Sequence, residues 1–149
     1  MAQAYTRLNQ TLNPHRAGEF VQVYETTANL AAKTITVPAN KVWQILHVFE
    51  SYAADANAAN RTITLTVGDG TNTIGYSSAA NVQIANATEY YQWVLGATVP
   101  VETTATEHFI PFPGPEYLPA GYTLNFDATN DQVGDDSIIR IEVLEYTSK

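Results

Sequence analysis

From Phe20 onward the chain is a succession of short runs rich in β-branched and aromatic residues, each closed by Gly, Pro, Asn or Asp. That pattern predicts strands joined by turns. The runs fall at residues 20–25, 33–37, 42–52, 61–67, 72–76, 81–85, 90–95, 107–112, 122–127 and 137–146. The run 61–67 alternates strictly, with Ile63, Leu65 and Val67 on one face and Thr62, Thr64 and Thr66 on the other, as in a strand buried on one side and wet on the other. No window carries a helical period of useful length. The segment 53–60 has enough Ala for a turn of helix, but its Asp and Asn residues favour a loop. Strands recurring about every ten residues with no helices between them predict an all-β fold, an antiparallel β-sandwich or jelly roll of about 8–10 strands.

Two strands carry apolar residues on both faces. In 42–50, plain alternation sets Trp43, Ile45 and Phe49 against Val42, Leu46 and Val48. In 137–146 it sets Ile139, Ile141 and Val143 against Ile138, Leu144 and Tyr146, which share their side with Arg140 and Glu142. One face is core, and the other needs a second layer or a neighbouring subunit. Trp43, His47, Phe49 and Tyr146 are therefore candidate oligomer contacts.

The turns have their own chemistry. Gly68-Asp69-Gly70 predicts a hairpin between 61–67 and 72–76, because Asp-Gly tolerates positive φ. Val37-Pro38-Ala39-Asn40 and Leu118-Pro119-Ala120-Gly121 echo one another: Pro presets φ, and Asn or Gly takes the left-handed position of a type II turn. Residues 111–119 hold four of the seven prolines. Such a segment cannot donate to a central ladder and is predicted to cross between sheets or to lie at an end.

Residues 1–18 alternate weakly and contain Asn13-Pro14 and Ala17-Gly18, so they read as an extended arm preceding a sandwich domain at 19–149. Charge divides the chain in the same way. The formal net charge is −8, from 15 acidic and 7 basic residues, yet the arm has Arg7, Arg16 and His15 and no acid before Glu19. Between Arg61 and Arg140 there is no Lys or Arg at all. A weakly basic arm on an acidic body suits docking on a neighbour's acidic surface, with Tyr5, Arg7, Leu8 and Arg16 as its contacts. The same charge argues against nucleic acid as a partner. No apolar run reaches membrane-spanning length and the start lacks a signal-peptide pattern, so the protein is expected to be made and kept in a cytosol, or to leave by lysis. With no Cys, disulfides and thiolate metal sites are excluded and the core alone must hold the fold. The charged fraction of 15% is low against the usual ~25%.

Candidate chemistry is sparse. His15, His47 and His108 show no ligand spacing, and no nucleophile-elbow, phosphate-loop or dinucleotide motif occurs, so neither an enzyme nor a cofactor is expected. The acidic run containing Asp127, Asp131, Asp135 and Asp136 is the one oxygen-rich loop that suits Ca²⁺. It departs from an EF-hand in having Gln132 where the Gly belongs and no closing Glu, and a solvated turn is the plainer reading. Displayed aromatics on a sandwich can form a sugar platform, for which Trp93 and Tyr117 are the candidates. The alternation of Tyr91, Trp93 and Leu95 favours core for that side of the strand.

Three stretches, Val-Pro-Ala-Asn-Lys-Val-Trp-Gln-Ile-Leu (37–46), Arg-Thr-Ile-Thr-Leu-Thr-Val leading into Gly-Asp-Gly (61–70) and Tyr-Leu-Pro-Ala-Gly-Tyr-Thr-Leu (117–124), resemble small β-sandwich virion proteins of tailed bacteriophages. The resemblance covers about residues 33–146 in general style and matches no diagnostic functional residue. It implies a structural protein of the capsid exterior, most like a head decoration (cement) protein assembled in the host cytoplasm. Its partners would be the major capsid protein and copies of itself, commonly as a homotrimer, with an arm reaching a neighbour. Neck or tail proteins share the style, and a carbohydrate-binding receptor module is the competing class. A tail-fibre shaft is missing from this chain.

Overall fold

The computed structural model describes residues 18–28, 32–80, 82–98, 101–102 and 106–148. Among the described residues eleven strands run in chain order: β1 (Glu19–Ala28), β2 (Lys33–Thr36), β3 (Lys41–Ala53), β4 (Thr62–Gly68), β5 (Thr73–Ser78), β6 (Thr88–Val94), β7 (Val101–Glu102), β8 (Glu107–Pro111), β9 (Tyr117–Pro119), β10 (Thr123–Thr129) and β11 (Asp136–Thr147). Among the described residues there is no helix. The strands form two sheets, a larger one ordered β1-β11-β3-β6-β8-β7 with β9 also paired to β3, and a smaller one ordered β2-β10-β4-β5. The fold is all-β, two sheets stacked over a single core.

That core takes Ile63, Leu65 and Val67 from β4 and Leu124 and Phe126 from β10 on one side. From the other side come Val48, Tyr91, Trp93, Ile139, Ile141 and Val143. Trp93 meets Phe126 edge-on at 5.6 Å between centroids, a favoured aromatic geometry that ties the sheets.

Two expectations need correction. The ladder is not wholly antiparallel, since β6 and β8 pair in parallel. Residues 82–85 do not form a strand either; they contribute one isolated bridge, Arg61 to Gln83, and the Gln83 side chain donates to the carbonyls of Tyr52 and Ala87. The short strands β7 and β9 have no counterpart among the predicted runs.

The face assignment of β3 is also corrected. His47 pairs with Glu142 and Ile45 with Val143, so Leu46 is an extra residue opposite nothing. This β-bulge inverts the alternation. Before it Trp43 and Ile45 face the core; after it Val48 and Tyr52 do, and Phe49 turns outward.

The two echoing turns form as predicted, with Asn40 at φ 59° and Gly121 at φ 85°. They are also bonded to each other, Val37 N–H donating to the Tyr122 carbonyl at 2.8 Å and Gly121 N–H to the Val37 carbonyl at 3.0 Å. The 68–70 hairpin is present between β4 and β5, with Asp69 Oδ1 accepting from the N–H groups of Thr71 and Asn72. The proline-rich stretch leaves β8 in the larger sheet, passes over β5 in the smaller one and returns as β9 beside β3. At the crossing, a Cβ on Gly75 would sit 1.7 Å from the Pro113 carbonyl oxygen. Gly75→Ala is therefore expected to lower stability by about 1–3 kcal/mol, read as a drop in the urea midpoint with an unchanged slope; no drop would mean that the crossing segment yields freely.

Candidate docking face

The outward face of the larger sheet is laid out as cross-strand rows. Tyr24, Arg140, Phe49, Gln92 and Phe109 are successive partners across β1, β11, β3, β6 and β8. One row on, Thr26, Ile138, Ser51, Tyr90 and Glu107 form a second. On the other side, Gln22, Glu142 and His47 begin a third. Strand alternation places all these side chains on the side away from the core.

This face is apolar for a solvent-facing one. Phe20 is 58% exposed, Tyr24 54% and Tyr90 40%, with Leu46, Val94 and Ile138 also exposed. The rings form a band: His47 and Phe49 lie 6.4 Å apart and Phe49 and Tyr90 6.2 Å, with interplanar angles of 28° and 20°. In its middle the Arg140 guanidinium lies 5.7 Å from the Tyr24 ring centre and 5.9 Å from that of Phe49. His47, Phe49, Gln92, Arg140 and Glu142 bound an open hollow of about 290 Å³ there. Glu142 accepts a hydrogen bond from Gln22 at 3.3 Å, and His47 Nε2 lies 3.2 Å from Gln92 Oε1.

Arg140 differs from the other cations. Lys33 is paired with Glu25, Lys41 with Glu145, and Arg61 with Asp55 and Asp135. Among the described residues Arg140 is the one Lys or Arg with no carboxylate within ion-pair distance.

Of the predicted oligomer contacts, His47 and Phe49 stand on this face. Trp43 and Tyr146 do not, and this is a correction: both are 3% exposed within the chain itself. Trp43 donates its indole N–H to Glu145 at 2.8 Å, and the Tyr146 hydroxyl donates to Gln44 Oε1 at 3.0 Å. The sugar platform is corrected as well. Trp93 is 1% exposed in the core, while Tyr117 sits half-buried on β9, so the two form no common surface. The arm contacts Tyr5, Arg7, Leu8 and Arg16 lie outside the described residues.

The acidic loop serves a different end from the one considered for it. Asp127 and Asp136 are exposed, but Asp135 turns inward to Arg61, which is fully buried. Arg61 Nε and Nη2 donate to the two Asp135 oxygens at 3.0 and 2.9 Å, and Nη2 also donates to Asp55 at 2.7 Å. Nη1 donates to the Asn57 and Ala59 carbonyls, both at 3.0 Å, so all five guanidinium protons are used. Asp135 further accepts from the N–H groups of Asp55 and Gln132 and from the Tyr52 hydroxyl, which also reaches Asp131 at 2.6 Å. Burial opposes ionisation of Asp135, yet Arg61 and these donors outweigh it and hold its carboxyl down at about 2. Among the described residues no group of three or more His, Asp or Glu side chains is arranged to hold a metal ion. Of the four carboxylates in that run, Asp135 is paired with Arg61.

The residues of this face that the alternation pattern did not single out as contacts are Phe20, Tyr24 and Arg140. The signal lay in β11, whose outward positions read apolar, cationic, anionic, apolar. No protein-family model matches the chain, and no curated protein matches it in sequence.

Proposed function

We propose that this is a structural virion protein of a tailed bacteriophage, a head decoration protein that meets copies of itself through the outward face of its larger sheet. In this reading the arm, through Tyr5, Arg7, Leu8 and Arg16, ties it to the shell. The observation that carries the docking role is the exposed aromatic and aliphatic band around Arg140. Scattered apolar residues are normal on a soluble protein, whereas a contiguous band across four strands marks an interaction surface. The assignment to a virion rests on the resemblance at 37–46, 61–70 and 117–124.

The test is placement and binding. Antibody labelling of purified virions is expected to decorate the head exterior, and label confined to the neck or tail would overturn the head assignment. Heads lacking their decoration are expected to bind the full chain and to lose that binding when residues 1–18 are deleted; equal binding without them would remove the arm's role.

A further inference from the structure

We infer that two copies of this chain pack face to face through the larger sheet about a two-fold axis that runs across the strands between Arg140 and Glu142. The inference rests on reading that face as the docking surface, and adds the partner, a second copy, and its orientation.

Between positions 138 and 144 of β11 the outward side chains are Ile138, Arg140, Glu142 and Leu144, with exposed Asp136 before them on the same side. Consecutive outward positions stand roughly 6.6–6.8 Å apart. A two-fold axis crossing the strand between Arg140 and Glu142 reverses this order onto itself. Ile138 then faces Leu144 of the second copy, Arg140 faces Glu142, and both contacts occur twice, the reciprocity an isologous interface demands. The rows follow the same operation: Tyr24, Arg140 and Phe49 come opposite Gln22, Glu142 and His47. Phe49 is thus set over an imidazole and Arg140 over a carboxylate. An axis parallel to the strands would instead set Arg140 on Arg140 and Glu142 on Glu142, which like-charge repulsion disfavours.

Arg140 is prepared for this role. Two rings flank its guanidinium, and among the described residues it has no ion partner although the chain carries 15 acids against 7 bases. Stacked sheets sit about 10 Å apart, a gap that an Arg reaching from one side and a Glu from the other can fill. Flanked by Tyr24 and Phe49, the pair is shielded from water, which raises its worth when complete and its cost when broken. A sugar or an unrelated protein would have no need of opposite charges at self-complementary spacing.

Sedimentation equilibrium of the full chain at micromolar concentrations is expected to give a dimer. Arg140→Glu and Glu142→Arg each set like charges opposite at both reciprocal contacts and are expected to weaken association by about 100-fold or more. An equimolar mixture of the two variants is expected to dimerise again, because a doubly acidic face then meets a doubly basic one. The double variant, with the charges exchanged, is expected to recover as well. Recovery in the mixture also proves both single variants folded, and circular dichroism checks each alone. A wild-type monomer or trimer, single variants that associate like wild type, or a mixture that stays monomeric would each overturn the two-fold contact. Head binding is measured separately: a monomer that still binds heads removes the two-fold contact and keeps the decoration role, whereas a dimer that binds no head does the reverse.

Discussion

Replacing Arg61 with alanine is expected to lower the stability of the fold by about 3–5 kcal/mol, the range for removing one partner of a buried ion pair. Arg61 has no exposed surface and neutralises Asp135, which is 3% exposed. It also satisfies the carbonyls of Asn57 and Ala59, so its loss leaves a buried carboxylate without its cation and two acceptors without their donor. The damage spreads because Asp135 belongs to the loop before β11, while Asp55 and Asn57 lie in the loop after β3. One guanidinium thus clamps two connections at the same end of the sandwich. Guanidinium chloride unfolding of Arg61→Ala against wild type measures the loss, and a loss below about 1 kcal/mol would show that the loops hold without the clamp.

The acid limb of stability follows from the same pair. The Asp135 carboxyl is held at about 2, below its ordinary 3.8, so its contribution is complete above pH 4 and is lost as pH falls through 2. The shift corresponds to about 2 kcal/mol. Asp135→Asn is expected to flatten the pH dependence between 4 and 2 while lowering stability at neutral pH.

The second large effect lies on the alkaline side. Glu50 is 2% exposed on the core side of β3, between Ile139 of β11 and Tyr91 of β6. Its Oε2 has no hydrogen-bond partner. Burial pushes its carboxyl up from 4.5 to about 8; Ser137 opposes the shift, and Asp131 and Asp127 add to it. With the folded value above the unfolded one, the protonated form is native. Stability from this group is complete below pH 4.5 and is lost progressively as pH rises through 8, to a total of about 4–5 kcal/mol. Glu50→Gln keeps the shape and stays neutral. It is expected to match wild type near pH 5 and to exceed it by several kcal/mol at pH 9, read from urea midpoints across that range. Parallel pH profiles for the two proteins would overturn the assignment of a neutral buried acid.

Much of the architecture was legible in the residues themselves. The alternation of Ile63, Leu65 and Val67 with threonines set the core face of β4, and Asp69-Gly70 set its hairpin. Asn40 and Gly121 marked left-handed turns because few other residues accept positive φ there. Alternation failed on β3 because period two presumes an unbroken ladder. The bulge at Leu46 exchanges the two faces, and nothing in a run of apolar residues announces which one is extra. The docking face was half legible: His47 and Phe49 were candidates, but Trp43 and Tyr146 found partners in Glu145 and Gln44, each 102 positions away.

The amino-acid order alone determined that strands form, where most of them turn and which face of a strand such as β4 is buried, because these follow from local dihedral preference and from burial at period two. Tertiary structure decided, among the described residues, which cations are neutralised and which is left over. Arg61 and Arg140 bound the same cation-free stretch, yet Arg61 is enclosed by Asp55 and Asp135 and Arg140 faces outward between two rings. Ion pairing depends on distances between residues remote in the chain, and only the stacked sheets set those distances.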